Sequence, residues 1–300
     1  MPTAALYALI VLIWGSTWVM ITWQLGTVPL QASLTYRFAI AALVLAVYGR
    51  ITGRRLGLQK SDVPMVALQG ILMFSLNYFF VYAGTAYVTS GLVAVLFTML
   101  VLFNAINERV FFGTRISAIS ILAGLLALSG IALMFWPEIS ELALSNTILR
   151  GVGLVLAGAF MASLGNMAAI RNTRRKLPIV AVNVWGMAIG AAASATYALV
   201  SGTQFIVDWQ FRYIGSLLFL AIPGTAIAFG MYLVILDRIG ATRASYISVM
   251  LPVVALMIST IVEGYQWTLL AALGLALALA GNALALSVKH KPPEPRAVNG

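Results

Sequence analysis

Long apolar stretches alternate with short polar gaps along the whole chain. Each stretch is close to the about 20 residues that an α-helix needs to cross a bilayer. Backbone groups in lipid must find hydrogen-bond partners within their own element, so the stretches are predicted to be helices. The pattern predicts an all-α integral membrane protein with ten transmembrane helices, which we call segments 1 to 10. Their approximate limits are 4–24, 31–49, 63–84, 88–107, 116–136, 150–170, 178–200, 213–235, 244–262 and 267–287.

Lys and Arg residues predict which side of the membrane each gap faces, because cytoplasmic loops accumulate them. Every second gap is basic, and so is the C-terminal tail, whereas the remaining gaps carry only Arg150 and Arg212 beside four acids. Ten helices with both termini in the cytoplasm satisfy this alternation, and nine or eleven helices would break it at one end. The basic set holds 15 of the 18 Lys and Arg residues: Arg50, Arg54, Arg55, Lys60, Arg109, Arg115, Arg171, Arg174, Arg175, Lys176, Arg238, Arg243, Lys289, Lys291 and Arg296.

The two halves of the chain resemble each other. Residues 89–108 can be laid on residues 244–263 without a gap, and both stretches end on Glu. Since each half has five predicted helices, an odd number, the halves cross the membrane in opposite directions. Inverted repeats of this kind are typical of transporters, whose substrate site lies near the midplane between the repeats. We therefore predict two inverted five-helix repeats at 1–144 and 145–288, followed by a cytoplasmic tail at 289–300.

Composition excludes most kinds of enzyme. The chain is 62% hydrophobic and 9% charged, whereas a soluble domain is about half apolar and about a quarter charged. It has no cysteine, and its one histidine, His290, lies in the polar tail. A P-loop and the common hydrolase motifs are missing from the sequence. We predict no enzymatic activity, no cofactor and no metal. The net charge of +10 is spread over short gaps, so we predict no nucleic-acid binding.

Four motifs in order resemble the drug/metabolite transporter superfamily, in its EamA-type ten-helix branch. The first segment contains Trp14-Gly15-Ser16-Thr17-Trp18, which is similar to the W-G-S-x-[FW] pattern of the family's first helix. The second contains Tyr36-Arg37-Phe38, like the family's R-F segment. Glu108 and Glu263 match the acid that closes the fourth helix of each repeat, and Pro252 matches the proline before that acid. Together these motifs cover essentially the whole chain.

The resemblance implies a secondary transporter that exports small metabolites by alternating access, most typically amino acids, including aromatic ones. It implies a bacterial inner (plasma) membrane protein that works as a monomer. A channel-like facilitator, or an exporter of another small metabolite or drug, is the alternative. Related drug exporters carry an acid in their first helix, but this chain has none before Asp62. Phe97 aligns with Pro252, which leaves open whether segment 4 bends like segment 9.

Arg37 is the only charged residue well inside a predicted helix. An Arg at the centre of a bilayer costs about 2.5–3.5 kcal/mol on insertion scales, so such residues usually have a function. One interpretation is a clamp for a substrate carboxylate, which suits a planar guanidinium. The other is structural: Arg37 reaches outward, or pairs with Glu263 or with helix carbonyls. Because no titratable acid or histidine lies at mid-membrane, we predict facilitated diffusion or exchange without proton coupling.

Two aromatic pairs at helical spacing are further candidates for substrate binding. Tyr78 and Tyr82 share one face of segment 3, with Asn77 beside them. Asn77 and Tyr78 point about 100° apart, so both are not expected to face squarely into one cavity. Trp14 and Trp18 form the second pair, on segment 1. Each pair would either line a substrate path or pack: the tyrosines at an ordinary aromatic helix surface, and Trp14 beside its neighbouring glycine.

Two more candidates, Asn166 and Trp185, lie in the second half. Asn166 on segment 6, like Asn104 on segment 4 of the first half, is an amide in apolar surroundings, which suits either an interhelical hydrogen bond or a cavity wall. Trp185 lies midway along segment 7, beside the small pair Gly186 and Gly190. Such pairs let helices approach closely, so packing accounts for this region better than substrate binding.

Overall fold

The computed structural model describes residues 1–113, 118–134, 136, 146–228, 231–232, 234–235 and 247–287. Arg115, Arg238, Arg243, Glu138, Glu141 and the tail at 289–300 lie outside this part of the chain. The described residues are helical, apart from the connections, and contain no strand. The helices are α1 (Thr3–Thr22), α2 (Leu30–Ile51), α3 (Val63–Ile71), α4 (Asn77–Thr85), α5 (Ser90–Phe97), α6 (Leu100–Phe112), α7 (Ala118–Met134), α8 (Asn146–Arg174), α9 (Ile179–Val200), α10 (Phe211–Ala221), α11 (Ile247–Val262) and α12 (Leu269–Ser287).

The all-α prediction is therefore confirmed for the described residues. Among the described residues, six helical stretches are long and apolar enough to span a membrane, and shorter apolar helices lie in segments 5, 8, 9 and 10. Ten crossings and the orientation of the termini remain predictions. The six long stretches are Thr3–Thr22, Leu30–Ile51, Val63–Thr85, Ser90–Phe112, Asn146–Arg174 and Ile179–Val200.

Two of the segments, 3 and 8, each contain a π-helical turn. A π-helical turn, Leu72–Leu76, joins α3 to α4, and a second one, Ile222–Ile227, follows α10. The second turn contains Pro223, which has no N–H to donate and would clash inside a regular helix. The hydroxyl of Thr225 donates to the carbonyl of Leu220 at 2.7 Å, so this carbonyl is satisfied by a side chain.

Segment 4 is interrupted between α5 and α6, whereas Pro252 lies within the continuous helix α11. The two segments therefore differ, and the interruption of segment 4 occurs without a proline.

Contacts between the helices join the first half of the chain to the second. The helix α2 packs along α9, and α7 packs along α12. Segment 1 packs on segment 9, and segment 4 packs on segment 6; segment 3 packs on segment 7, and segment 8 packs on segment 2. When the two halves are exchanged, the contacts of α2 with α9 and of α7 with α12 map onto themselves, and the other four map onto one another in two pairs.

Glycine permits a close approach between α7 and α12. A Cβ atom on Gly274 would lie 2.5 Å from the carbonyl oxygen of Gly130, and one on Gly130 would lie 2.6 Å from the backbone nitrogen of Ala278. The small pair Gly186 and Gly190 likewise faces α3 and its π-helical turn, as its spacing predicts.

Candidate functional site

A cavity of about 150 Å³ lies among α1, α2, α4, α5, the second π-helical turn and α11. Five of the eight candidate residues line it: Trp14, Trp18, Arg37, Asn77 and Tyr78. The second half of the chain contributes Gly224 and Leu251 to its wall. The cavity is therefore bordered by both halves.

Arg37 is buried against this cavity, with 2% of its surface exposed. Its guanidinium carbon lies 4.4 Å from the ring centre of Tyr78 and 5.1 Å from that of Phe38, both of which are cation–π distances. Its Nη1 donates to the hydroxyl of Tyr82 at 3.2 Å. Within the described ranges, no carboxylate lies within ion-pair distance of Arg37. Its Nε makes no hydrogen bond with a described residue.

Glu263, which the sequence offered as a partner for Arg37, binds elsewhere. Its carboxylate accepts the backbone N–H of Ser90 at 3.2 and 3.1 Å, and it also accepts the hydroxyl of Ser90. Ser90 begins α5, and a negative charge is stabilised at a helix N-terminus. The acid therefore ties the second half of the chain to α5, and Arg37 is left without it.

Asn77 and Tyr78 both border the cavity, although their directions differ by about 100°. The cavity thus extends around more than a quarter of the circumference of α4, which the sequence gave no reason to expect. The amide nitrogen of Asn77 donates to the carbonyl of Met73, within the first π-helical turn, at 3.2 Å. The amide oxygen of Asn77 is buried and has no partner among the residues described. Tyr82 lies one turn further on, behind Arg37, and does not border the cavity.

Trp14 and Trp18 form the wall on the side of α1. The indole N–H of Trp14 donates to the carbonyl of Gly224 at 3.1 Å, and its ring lies 5.5 Å from that of Tyr232. The ring of Trp18 lies 5.3 Å from that of Phe97. The indole nitrogen of Trp18 is buried and makes no hydrogen bond in the described part of the chain.

Three of the residues that line the cavity each have a buried polar atom without a partner among the described residues: Trp18 Nε1, Arg37 Nε and Asn77 Oδ1. We call them the open polar atoms. Leaving a buried polar group unsatisfied costs roughly 1–3 kcal/mol, and more for a charged one. Two of the three are donors and one is an acceptor. An anionic acceptor and a separate donor are the kinds of partner that these atoms lack.

Asn166 and Trp185 lie away from this cavity. The amide of Asn166 donates to Asn104 at 3.2 Å, which joins α6 to α8, and both amides border a separate cleft of about 370 Å³ with Glu108 and Arg174. Trp185 is 47% exposed, and its indole donates to the carbonyl of Leu56 at 2.9 Å. The structure therefore places neither residue beside the open polar atoms.

Two residues near the site escaped the sequence-based prediction. Gln24 follows α1 and accepts the hydroxyl of Tyr82 at 3.2 Å, although a glutamine at the end of an apolar stretch resembles an ordinary loop residue. Phe97 ends α5 beside the cavity. Its one signal was its alignment with Pro252, which points to helix shape and not to a site.

The sequence matches known transporters, and the fold matches a solved structure. The sequence model of the EamA-like transporter family matches residues 2–136 and again residues 149–287. An uncharacterized transporter of Bacillus subtilis, YoaV, is 24% identical over 273 residues, which are 91% of this chain and 92% of YoaV. An uncharacterized transporter of Archaeoglobus fulgidus is 26% identical over 274 residues, 91% of this chain and 95% of its own. One crystal structure superposes with a TM-score of 0.68 at 18% identity, covering 94% of this chain and 96% of the other.

Proposed function

Since the chain belongs to the EamA-like transporter family, and is thus a multi-pass membrane transporter and not an enzyme, we propose that it exports amino acids through the central cavity. The proposal includes alternating access, in which the cavity opens first to one side of the membrane and then to the other. It also includes a bacterial inner membrane as the site of action and a monomer as the working unit.

The observation that carries the proposed substrate class is the chemistry of the open polar atoms. The Nε of Arg37 and the indole N–H of Trp18 are donors that suit a carboxylate, and the amide oxygen of Asn77 suits an ammonium group. No acid among the described residues borders the cavity, so a bound carboxylate would supply the missing counter-charge for Arg37. A cation without a carboxylate would meet this positive charge unscreened.

Cavity volume favours small side chains. A buried cavity of about 150 Å³ holds a molecule the size of benzene in another protein. The present cavity has the same volume, about 150 Å³. It suits an amino acid such as alanine or valine, whereas an aromatic amino acid requires Trp14 or Trp18 to move. We therefore expect smaller amino acids to be transported first and aromatic ones with a higher KM.

The proposed architecture is two inverted five-helix repeats, 1–144 and 145–288, with both termini in the cytoplasm. Two observations support it. The family model matches the chain twice, once in each half. The helix contacts also keep the same pattern when the two halves are exchanged, as a two-fold relation between repeats requires.

Exchange or facilitated diffusion is the transport mode that we propose. Proton-coupled carriers generally use a buried Asp, Glu or His. Within the described residues, the charged group on the cavity wall is an arginine, which does not lose its proton in proteins.

Uptake into proteoliposomes tests the proposed function. We expect vesicles that contain the purified protein to take up labelled L-alanine and L-valine, and preloaded unlabelled amino acid to accelerate this uptake. Arg37→Gln should abolish most of it, whereas Trp185→Phe, on the exposed side of α9, should leave it unchanged. Uptake of sugars or nucleotides but of no amino acid would contradict the proposal. Accumulation driven by an imposed pH gradient would overturn the proposed transport mode alone.

A further inference from the structure

A chain of buried hydrogen bonds leads away from Arg37. The hydroxyl of Tyr82 accepts the Nη1 of Arg37 at 3.2 Å and donates to the Oε1 of Gln24 at 3.2 Å. The Nε2 of Gln24 donates to the hydroxyl of Ser216 at 3.5 Å, and that hydroxyl donates to the carbonyl of Tyr213 at 2.9 Å. Gln24 is 1% exposed, and Tyr82 and Ser216 are fully buried.

Chemistry fixes the direction of every bond in this chain. A guanidinium has only donors, so the oxygen of Tyr82 must accept from Arg37. The single hydroxyl proton of Tyr82 is then given to Gln24. Bonds aligned in this way polarise one another, which strengthens the chain as a whole. The amide of Gln24 therefore determines where the hydroxyl of Tyr82 points.

This series of hydrogen bonds holds one edge of the Arg37 guanidinium, and the ring of Tyr78 lies against its face at 4.4 Å. Arg37 lines the cavity, and its Nε has no hydrogen-bond partner among the described residues. We propose that Gln24 is a positioning residue for the carboxylate-binding site: through Tyr82 it orients Arg37, and so determines selectivity for a carboxylate. This inference rests on the proposed function, because it assumes that Arg37 binds the carboxylate of the substrate.

Gln24 also joins the two halves of the chain. It follows α1 in the first half, and Ser216 lies on α10 in the second. The bond to Ser216 is the longest in the chain of hydrogen bonds, at 3.5 Å. We therefore expect Ser216→Ala to have the same effect as a change at Gln24, but a smaller one.

The test compares Gln24→Leu and Tyr82→Phe with a matched control, Ser33→Ala. The hydroxyls of Ser33 and Tyr213 form a buried bond of 2.9 Å that joins α2 to α10. The hydrogen bonds that lead from Arg37 reach Tyr213 only at its backbone carbonyl, which Ser33→Ala leaves in place. The probes are labelled L-valine and, as unlabelled competitors, L-valine and L-valinamide, which differ in the carboxylate. Gel filtration and thermal unfolding in detergent confirm that each variant is folded.

We expect Gln24→Leu and Tyr82→Phe each to raise the KM for L-valine about 3- to 10-fold, as the loss of one ordinary hydrogen bond does. The maximal rate should change little, and the preference for L-valine over L-valinamide should fall by the same factor. The double variant should be no worse than the more affected single variant, because both changes break one chain. Ser33→Ala should keep the wild-type KM and preference.

Arg37→Gln separates this inference from the proposed function. If wild-type vesicles take up no amino acid, or if Arg37→Gln keeps the preference for the carboxylate, the proposed function fails and this inference fails with it. If Arg37→Gln removes the preference but Gln24→Leu and Tyr82→Phe keep it, only the role of Gln24 is overturned. Equal losses in Gln24→Leu and Ser33→Ala, with the preference unchanged, would also overturn it, because they would indicate a general structural effect.

Discussion

The indole nitrogen of Trp14 donates a hydrogen bond to the backbone carbonyl of Gly224 at 3.1 Å. This bond joins the middle of α1 to the second π-helical turn, and both residues border the central cavity. It therefore ties the first half of the chain to the second at the wall of the proposed site. A π-helical turn is frequently found at a functional site, and the carbonyl of Gly224 in this one binds a tryptophan of the cavity wall.

Trp14→Phe keeps an aromatic ring but removes the donor to Gly224. We expect it to lower the free energy of unfolding by about 1 kcal/mol, the typical contribution of one hydrogen bond. Thermal unfolding in one detergent would measure the change. The control is Trp209→Phe, because Trp209 is 83% exposed and its substitution should leave the unfolding temperature unchanged. Equal shifts in the two variants would contradict the prediction.

Asn77→Leu removes the acceptor that we assign to the ammonium group of the substrate. We expect a rise of about 10- to 150-fold in the KM for L-valine, the range for losing a hydrogen bond to a charged group. Inhibition by 3-methylbutanoate, which has the carboxylate but no amine, should be unaffected. Trp18→Phe should instead weaken the binding of both L-valine and 3-methylbutanoate, because it removes a donor to the carboxylate that they share. Competition assays in proteoliposomes would measure both, and an equal loss of both ligands in Asn77→Leu would refute the assignment.

How far the sequence predicts this structure depends on the property in question. Hydrophobicity identifies the helices well, because a membrane-spanning helix needs a long apolar stretch whether a given face points to lipid or to protein. Hydrophobicity does not show which face of a helix points to the protein interior, because lipid and protein interior are both apolar. For this reason Trp185 was a candidate for a cavity although it lies on an exposed surface. The rare charge at Arg37 did mark the cavity, since such a residue must face the bundle interior. The role proposed for Gln24 depends on tertiary contacts with Tyr82 and Ser216, for which no spacing along the chain is a signal.

Gly130→Val should disrupt the packing of α7 on α12. Its Cβ would lie 2.6 Å from the backbone nitrogen of Ala278, and it would also contact the carbonyl of Gly274, so neither neighbour is a flexible side chain. We expect a loss of about 1–3 kcal/mol in stability or a failure to yield monodisperse protein. The control is Gly153→Ala, where a Cβ meets nothing within 4 Å. That change should keep stability or raise it by up to about 1 kcal/mol, because Ala favours helix more than Gly. Similar unfolding temperatures for both variants would contradict the prediction.

Single cysteines can determine the orientation of the chain, because the natural sequence contains none. If Lys and Arg accumulate in the cytoplasm, Lys60→Cys and Lys176→Cys will lie inside, and Thr203→Cys and Gln266→Cys will lie outside. All four positions are in connections between helices. We expect a membrane-impermeant maleimide to label the second pair in intact spheroplasts, and the first pair only after the membrane is permeabilised. Labelling of Lys60→Cys but not of Lys176→Cys in intact cells would refute opposite orientations of the two repeats. Those positions follow segments 2 and 6, an even number of crossings apart, so both must lie on one side.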